Sequence, residues 1–121
     1  MCGIVGYIGD EQAADIVLKS LQRLEYRGYD SAGIATVSKN KLHLVRAVGK
    51  LSNLTALLKD QAQPGHIGIG HTRWATHGGV TEENAHPHMA GDRVAIVHNG
   101  IIENYASLKV RLISEGHHFK S

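Results

Sequence analysis

Behind its initiator methionine the chain reads Cys2-Gly3-Ile4-Val5-Gly6-Tyr7-Ile8-Gly9, and the reading of this stretch governs the rest. Residues 4–8 form a short apolar run rich in β-branched side chains, punctuated by Gly3, Gly6 and Gly9. That is the pattern of a buried strand where backbone approaches closely. The chain is therefore expected to start inside its fold. Outward from there, Asp10 suits a helix N-cap, and Ala13, Ile16, Val17, Leu21 and Leu24 keep helical spacing as far as Leu24. Residues 26–33 break every period and read as a loop before a strand over 34–38. Lys39-Asn40 reads as a hairpin turn into a strand over 41–47. Leu51, Leu54, Leu57 and Leu58 mark a second helix, and 66–71 a further strand.

Residues 72–92 are polar and too long for an ordinary connection, so they read as a site loop. A buried-type strand over 93–98 follows, Asn99-Gly100 turns the chain, and Tyr105, Leu108, Leu112 and Ile113 mark a last helix capped by Gly116. Residues 117–121 read as the beginning of another strand. Strands grouped in pairs between helices predict an α+β fold rather than a parallel α/β sheet.

With 121 residues, 42% hydrophobic and 20% charged, the composition predicts one globular core and excludes a disordered or collagen-like chain. Thirteen Lys and Arg against eleven Asp and Glu leave a formal charge of +2. The positive residues are scattered, which argues against a nucleic-acid partner. No apolar run approaches the ~18 residues of a membrane span and no basic-then-apolar leader is seen, so no membrane partner and a cytoplasmic location are expected. The single cysteine excludes an internal disulfide and a Cys-rich zinc site. Asn53-Leu54-Thr55 matches a glycosylation sequon, which carries no meaning without secretion.

Cys2 is the first candidate for chemistry. A lone cysteine is ordinarily a small buried hydrophobe. At position 2, removal of Met1 would leave it with a free α-amino group, which titrates near ~7.7 to 8.0 and so supplies a base at neutral pH beside a nucleophilic thiol. Direct proton transfer within one residue is tight, so a bridging water is expected. Gly3 would let substrate lie against the backbone beside the nucleophile. Asn99-Gly100 reads either as a type I′ turn or as a side-chain amide and an unhindered backbone N–H that together serve a developing oxyanion. The helical sequence after it disfavours the hairpin. Arg73, within His71-Thr72-Arg73-Trp74-Ala75-Thr76-His77-Gly78, is either a surface arginine packed on the only tryptophan or a two-point carboxylate clamp, with Thr76 and His77 as further contacts.

Nine histidines raise a metal site as a rival, but His71 and His77 stand six apart, His86 and His88 two apart, and no zinc motif results. The expectation is no metal. A run of glycines over 65–70 lacks the Lys-Ser/Thr ending of a phosphate cradle. A non-catalytic binding module that keeps Arg73 is the other rival.

Taken together, Met1-Cys2-Gly3-Ile4-Val5-Gly6, Arg23-Leu24-Glu25-Tyr26-Arg27-Gly28-Tyr29-Asp30-Ser31-Ala32-Gly33, His71 to Gly78, Asn84-Ala85-His86-Pro87-His88 and His98-Asn99-Gly100-Ile101-Ile102-Glu103-Asn104 closely resemble one family. It is that of the isomerising glutamine:fructose-6-phosphate aminotransferases, and the similarity is to their N-terminal glutaminase domain. The resemblance implies an N-terminal nucleophile hydrolase, an αββα sandwich of which residues 1–121 are the N-terminal half. It implies Cys2 as nucleophile, Asn99 and Gly100 as oxyanion hole, and Arg73, Trp74, Thr76 and His77 as the substrate-binding loop, with Arg27 supporting the nucleophile. It implies glutamine as substrate, no cofactor, and fructose 6-phosphate only through sugar-isomerase domains that this chain lacks. A Ser-Glu-Thr-Asp motif, whose Asp binds the substrate amine, would begin at Ser121. Assembly into a homo-oligomer stays open.

Overall fold

A computed structural model describes residues 2–121. The expected removal of Met1 falls outside the described residues. The order of elements is β1 (Gly3–Ile8), α1 (Ala13–Arg23), a 3₁₀ turn (Glu25–Arg27), β2 (Ser31–Ser38), β3 (Lys41–Val48), α2 (Leu51–Asp60), β4 (Ile67–Arg73), β5 (His88–Ala90), β6 (Val94–Ile96) and α3 (Tyr105–Ser114). β1, β4, β2 and β3 lie side by side in that order, each pair antiparallel, and β5 and β6 form a separate two-stranded ribbon.

Alternation along the strands divides the four-stranded sheet into two faces. On one, Ala32 and Ile34 of β2 and Val45 and Ala47 of β3 meet Val17 and Leu21 of α1 and Leu51 and Leu54 of α2. Each of the larger side chains contributes about 1.5–3 kcal/mol by leaving water. β4 passes directly beneath α1, and there glycine is required: a Cβ at Gly70 would overlap Val17 Cγ1 and stand 3.2 Å from Leu21 Cδ1. On the opposite face the loop before β5 crosses Gly33, where a Cβ would overlap the His86 carbonyl and stand 2.8 Å from Arg46 Cγ. The architecture is α+β, with α1 and α2 packed on one face of the four-stranded antiparallel sheet and the β5–β6 ribbon apart from it, in the α+β class that the sequence predicts.

Several expectations need correction. Among the described residues β1 is not buried: it forms an edge of the sheet, and Ile4 and Ile8 are 46% and 78% exposed. Apolar composition cannot distinguish an edge from a centre, because the distinction lies in whether a neighbour exists. α1 starts at Ala13 with Gln12 at its N-cap, and Asp10 caps nothing there. The intervening turn is held from elsewhere, with Gly9 N donating to His66 O at 3.1 Å and Ala13 N to Gly65 O at 2.9 Å. β2 begins at Ser31 rather than at Ile34, since Ser31 pairs with Val48 on one side and Arg73 on the other. β4 likewise continues through Thr72 and Arg73, which shortens the site loop to residues 74–87. β6 is only Val94–Ile96, with Val94 and Ile96 about half exposed rather than buried. Residues 117–121 carry no strand. The Lys39-Asn40 hairpin, with φ of 51° and 62°, and the Gly116 cap, with φ of 98°, agree with the sequence.

Candidate functional site

The sheet brings the N-terminus and the end of β4 together through register: Gly3 pairs with Thr72, so Cys2 lies against Arg73 and Trp74. Trp74 N donates to Cys2 Sγ at 3.2 Å, and Sγ lies 3.6 Å from Trp74 O. The thiol is thereby held at a fixed place beside the site loop. Gly3 sits beneath it, its N–H donating to Thr72 Oγ1 at 3.2 Å. Glycine is required here on packing grounds, because a Cβ would stand 2.6 Å from Leu24 Cδ1. The missing side chain makes room for Leu24.

Arg73 is 6% exposed and uses its guanidinium as a scaffold. Nη2 donates to His77 O at 2.7 Å and Nη1 to Gly79 O at 2.8 Å, which folds residues 74–79 into a tight loop. A guanidinium has five N–H donors, so others remain for a ligand. Asp30 fixes the same loop from the β2 side: its Oδ2 accepts from Ala75 N at 2.5 Å and its own N–H donates to Arg73 O at 2.7 Å. Thr76 and His77 follow in the exposed part of the loop, the His77 ring edge-on to Tyr105 at 5.0 Å. Arg27 is half-buried in the 3₁₀ turn, and Gly28 next to it approaches the Trp74 ring.

Asn99 completes the arrangement from the other side. Its Nδ2 donates to Cys2 O at 3.3 Å, and its Oδ1 lies 2.7 Å from His71 Nε2. Gly100 follows with φ of 134°, a conformation open to glycine and closed to most residues. The His71 ring stacks on His86 at 4.2 Å, and His86 meets His88 edge-on at 4.4 Å. Burial, reinforced by the nearby His71, His88, Arg73 and His98, pushes His86 down to about 3. Burial is also the main cause lowering His71, outweighing the Asn99 acceptor that favours its charged form. These rings are therefore neutral at physiological pH. Among the described residues no group of three or more His, Cys, Asp or Glu is arranged to hold a metal ion. Among the described residues no helix is long and apolar enough to cross a membrane.

Cys2, Arg73, Trp74, Thr76, His77 and Gly100 all line one cleft of about 150 Å³, together with Asn84, His86, His88 and His98. Its size suits a small polar solute rather than a drug-sized ligand. Gly3 and Asn99 are chain neighbours of the lining residues Cys2 and Gly100, and Arg27 is not among the residues that line it. Sequence reasoning missed Asp30 and Arg46. The latter, on β3, donates from Nη1 to Ala85 O at 3.2 Å and pins the return of the site loop. An aspartate immediately before a strand was the only local signal for Asp30, and Arg46 had none.

No family model matches the chain. Among curated proteins, the glutamine–fructose-6-phosphate aminotransferase (isomerizing) of Zymomonas mobilis is 58% identical over 121 residues, covering 100% of this chain and 20% of that protein. That of Thermosynechococcus vestitus is 59% identical over 122 residues, again covering 100% of this chain and 20% of the relative. That of Pyrococcus horikoshii is 52% identical with the same coverage, 100% and 20%. The chain thus spans about one fifth of the length of these relatives. Two solved structures share the fold. The allosteric regulatory enzyme of purine biosynthesis aligns with a TM-score of 0.82 at 29% identity, over 100% of this chain and 27% of that one. The glutamine phosphoribosylpyrophosphate amidotransferase from B. subtilis, complexed with ADP and GMP, aligns with a TM-score of 0.78 at 28% identity, over 99% and 26%. The architecture is accordingly the N-terminal part of an N-terminal nucleophile amidotransferase fold. Along its whole length the chain is thus similar to the N-terminal fifth of isomerising glutamine–fructose-6-phosphate aminotransferases.

Proposed function

We propose that residues 1–121 are part of a glutaminase domain in which Cys2, exposed as the N-terminal residue by loss of Met1, hydrolyses glutamine. Sγ attacks the side-chain amide carbon and its proton passes, through the Cys2 α-amine and a bridging water, to the departing nitrogen. Ammonia leaves, a γ-glutamyl thioester remains, and water then releases glutamate and restores the thiol. Negative charge that develops on the amide oxygen is met by Asn99 Nδ2–H and Gly100 N–H. One such donor is worth about 10²- to 10³-fold in rate. Arg73 takes the substrate α-carboxylate with the N–H donors left over from its loop contacts, and Trp74, Thr76 and His77 complete that side. Arg27 supports the turn behind Trp74.

The observation that carries this reading is the convergence of Cys2, Arg73 and Gly100 on one polar cleft, with the Asn99 amide bonded to the Cys2 backbone. In the full-length protein the ammonia would convert fructose 6-phosphate to glucosamine 6-phosphate in sugar-isomerase domains beyond this chain. A reactive free thiol at the N-terminus fits a reducing, cytoplasmic setting. The test is glutamate release from glutamine by the full-length protein, alongside the intact mass of its N-terminus. Release that depends on Cys2 and a mass lacking Met1 are expected. Glutamine left intact, or full turnover with Met1 retained, would overturn the reading.

A further inference from the structure

His71 is fully buried, sits on β4 and does not touch the substrate in the scheme above, yet it makes the shortest contact to Asn99. Its Nε2 lies 2.7 Å from Asn99 Oδ1, while the opposite end of the same amide, Nδ2, donates to Cys2 O at 3.3 Å. The two bonds define each other. A backbone carbonyl only accepts, so the nitrogen of the amide must face Cys2 and the oxygen must face His71. Asn99 Oδ1 also only accepts, so Nε2 of His71 must carry the proton. With the ring neutral, Nδ1 is then a bare lone pair. Nδ1 has no hydrogen-bond partner among the described residues, a state less costly for a lone pair than for an N–H. Burial lowers the pKa of this ring, against the Asn99 contact and a His98 backbone contact that favour the charged form, in keeping with a neutral ring.

We propose that His71 is the positioning residue of the oxyanion hole: its Nε2–H holds Asn99 Oδ1 so that one Nδ2–H is anchored on Cys2 O and the other stays directed toward the reacting carbonyl. Asn99 is itself exposed and lies outside any helix or strand, so without this bond its amide would rotate or flip. The ring in turn is immobilised by its stack on His86 at 4.2 Å, which the loop carries over Gly33. A chain of contacts therefore runs from the sheet through His86 and His71 to the donor. This inference rests on the glutaminase reading of the same cleft.

The experiment is a double-mutant cycle in the full-length protein, with kcat and KM for glutamine hydrolysis measured for wild type, His71→Phe, Asn99→Ala and the double variant. His71→Phe keeps a flat ring on His86 and removes Nε2–H. It is expected to lower kcat about tenfold or more with KM for glutamine unchanged within about twofold, and to add no further loss in the Asn99→Ala background. His71→Gln, whose amide nitrogen can take the place of Nε2, is expected to recover most of the lost kcat. Should His71→Phe melt without a cooperative transition, His71→Asn, whose amide stops short of Asn99, takes its place with the same expected loss. Wild-type kcat in His71→Phe or His71→Asn, a defect confined to KM, or losses at His71 and Asn99 that multiply would each overturn the role of His71 while leaving the glutaminase reading intact. A wild-type protein that releases no glutamate overturns that reading first, and this one with it.

Discussion

The backbone N–H of Trp74 and the sulfur of Cys2, 72 residues apart in the chain, meet at 3.2 Å. The contact exists because β1 and β4 pair from Gly3 with Thr72 onward, which leaves the next residue of each strand side by side. The candidate nucleophile is therefore held by the loop that would bind its substrate. Cys2→Ala should abolish glutamine hydrolysis by the full-length protein, and an electrophilic glutamine analogue should label wild-type Cys2 but not the variant. An added residue ahead of Cys2 should slow the reaction by blocking the amine. Hydrolysis retained in Cys2→Ala would mean that a different residue attacks.

Arg73 carries two duties, and a substitution should separate them. Lysine offers a point charge without a planar fork, so Arg73→Lys cannot serve both His77 O and Gly79 O and also grip a carboxylate in two places. KM for glutamine should rise, and amide exchange over residues 75–80 should accelerate. An unchanged KM would remove Arg73 from substrate binding, whatever happened to the loop.

Gly33 is the point where the main sheet and the site loop press together. Gly33→Ala would drive a methyl group into the His86 carbonyl and against Arg46 Cγ, where backbone has little room to yield. A loss of about 1–3 kcal/mol is expected. Because His86 supports His71, kcat should fall as well. A thermal midpoint equal to that of wild type would show that the loop is free to lift from the sheet.

The stacked histidines tie stability to pH. His86 is held near 3 in the folded protein against an ordinary value of 6.5, and His71 and His88 are lowered too. The unfolded chain therefore takes up protons that the folded one refuses. Stability attributable to these rings is complete above about pH 6.5 and is lost as pH falls from there toward 3. Urea unfolding of wild type and His86→Gln across this window should show the gap between them change, with wild type losing stability more steeply. Parallel pH profiles would contradict the assignment.

The short ribbon and the segment after it leave apolar side chains in water: Ile96, Ile101 and Ile102 are 54%, 59% and 53% exposed, and Val110 on α3 is 70% exposed. On their own these 121 residues should self-associate. Sedimentation at rising concentration is the measurement, and a monomer at every concentration would show that the patch is harmless.

What the sequence determined by itself is whatever depends on neighbours close along the chain. The β2–β3 turn follows from two residues able to adopt positive φ, α2 from leucines at helical spacing, and the end of α3 from Gly116. Cys2, Arg73 and Asn99 could be singled out as candidates because their residue types carry chemistry with them, and the fold brings them together. Tertiary structure alone decided the rest. That β1 is an edge, that Arg73 spends donors on its own loop, that Leu24 fills the space over Gly3, and that His71 reaches Asn99 all depend on the β1–β4–β2 register. Register is set by pairings between residues 30 to 69 positions apart, which bury one face of the sheet only when every strand agrees. No local pattern encodes that agreement, since each strand's alternation is the same whether its neighbour is present, absent or displaced by two residues.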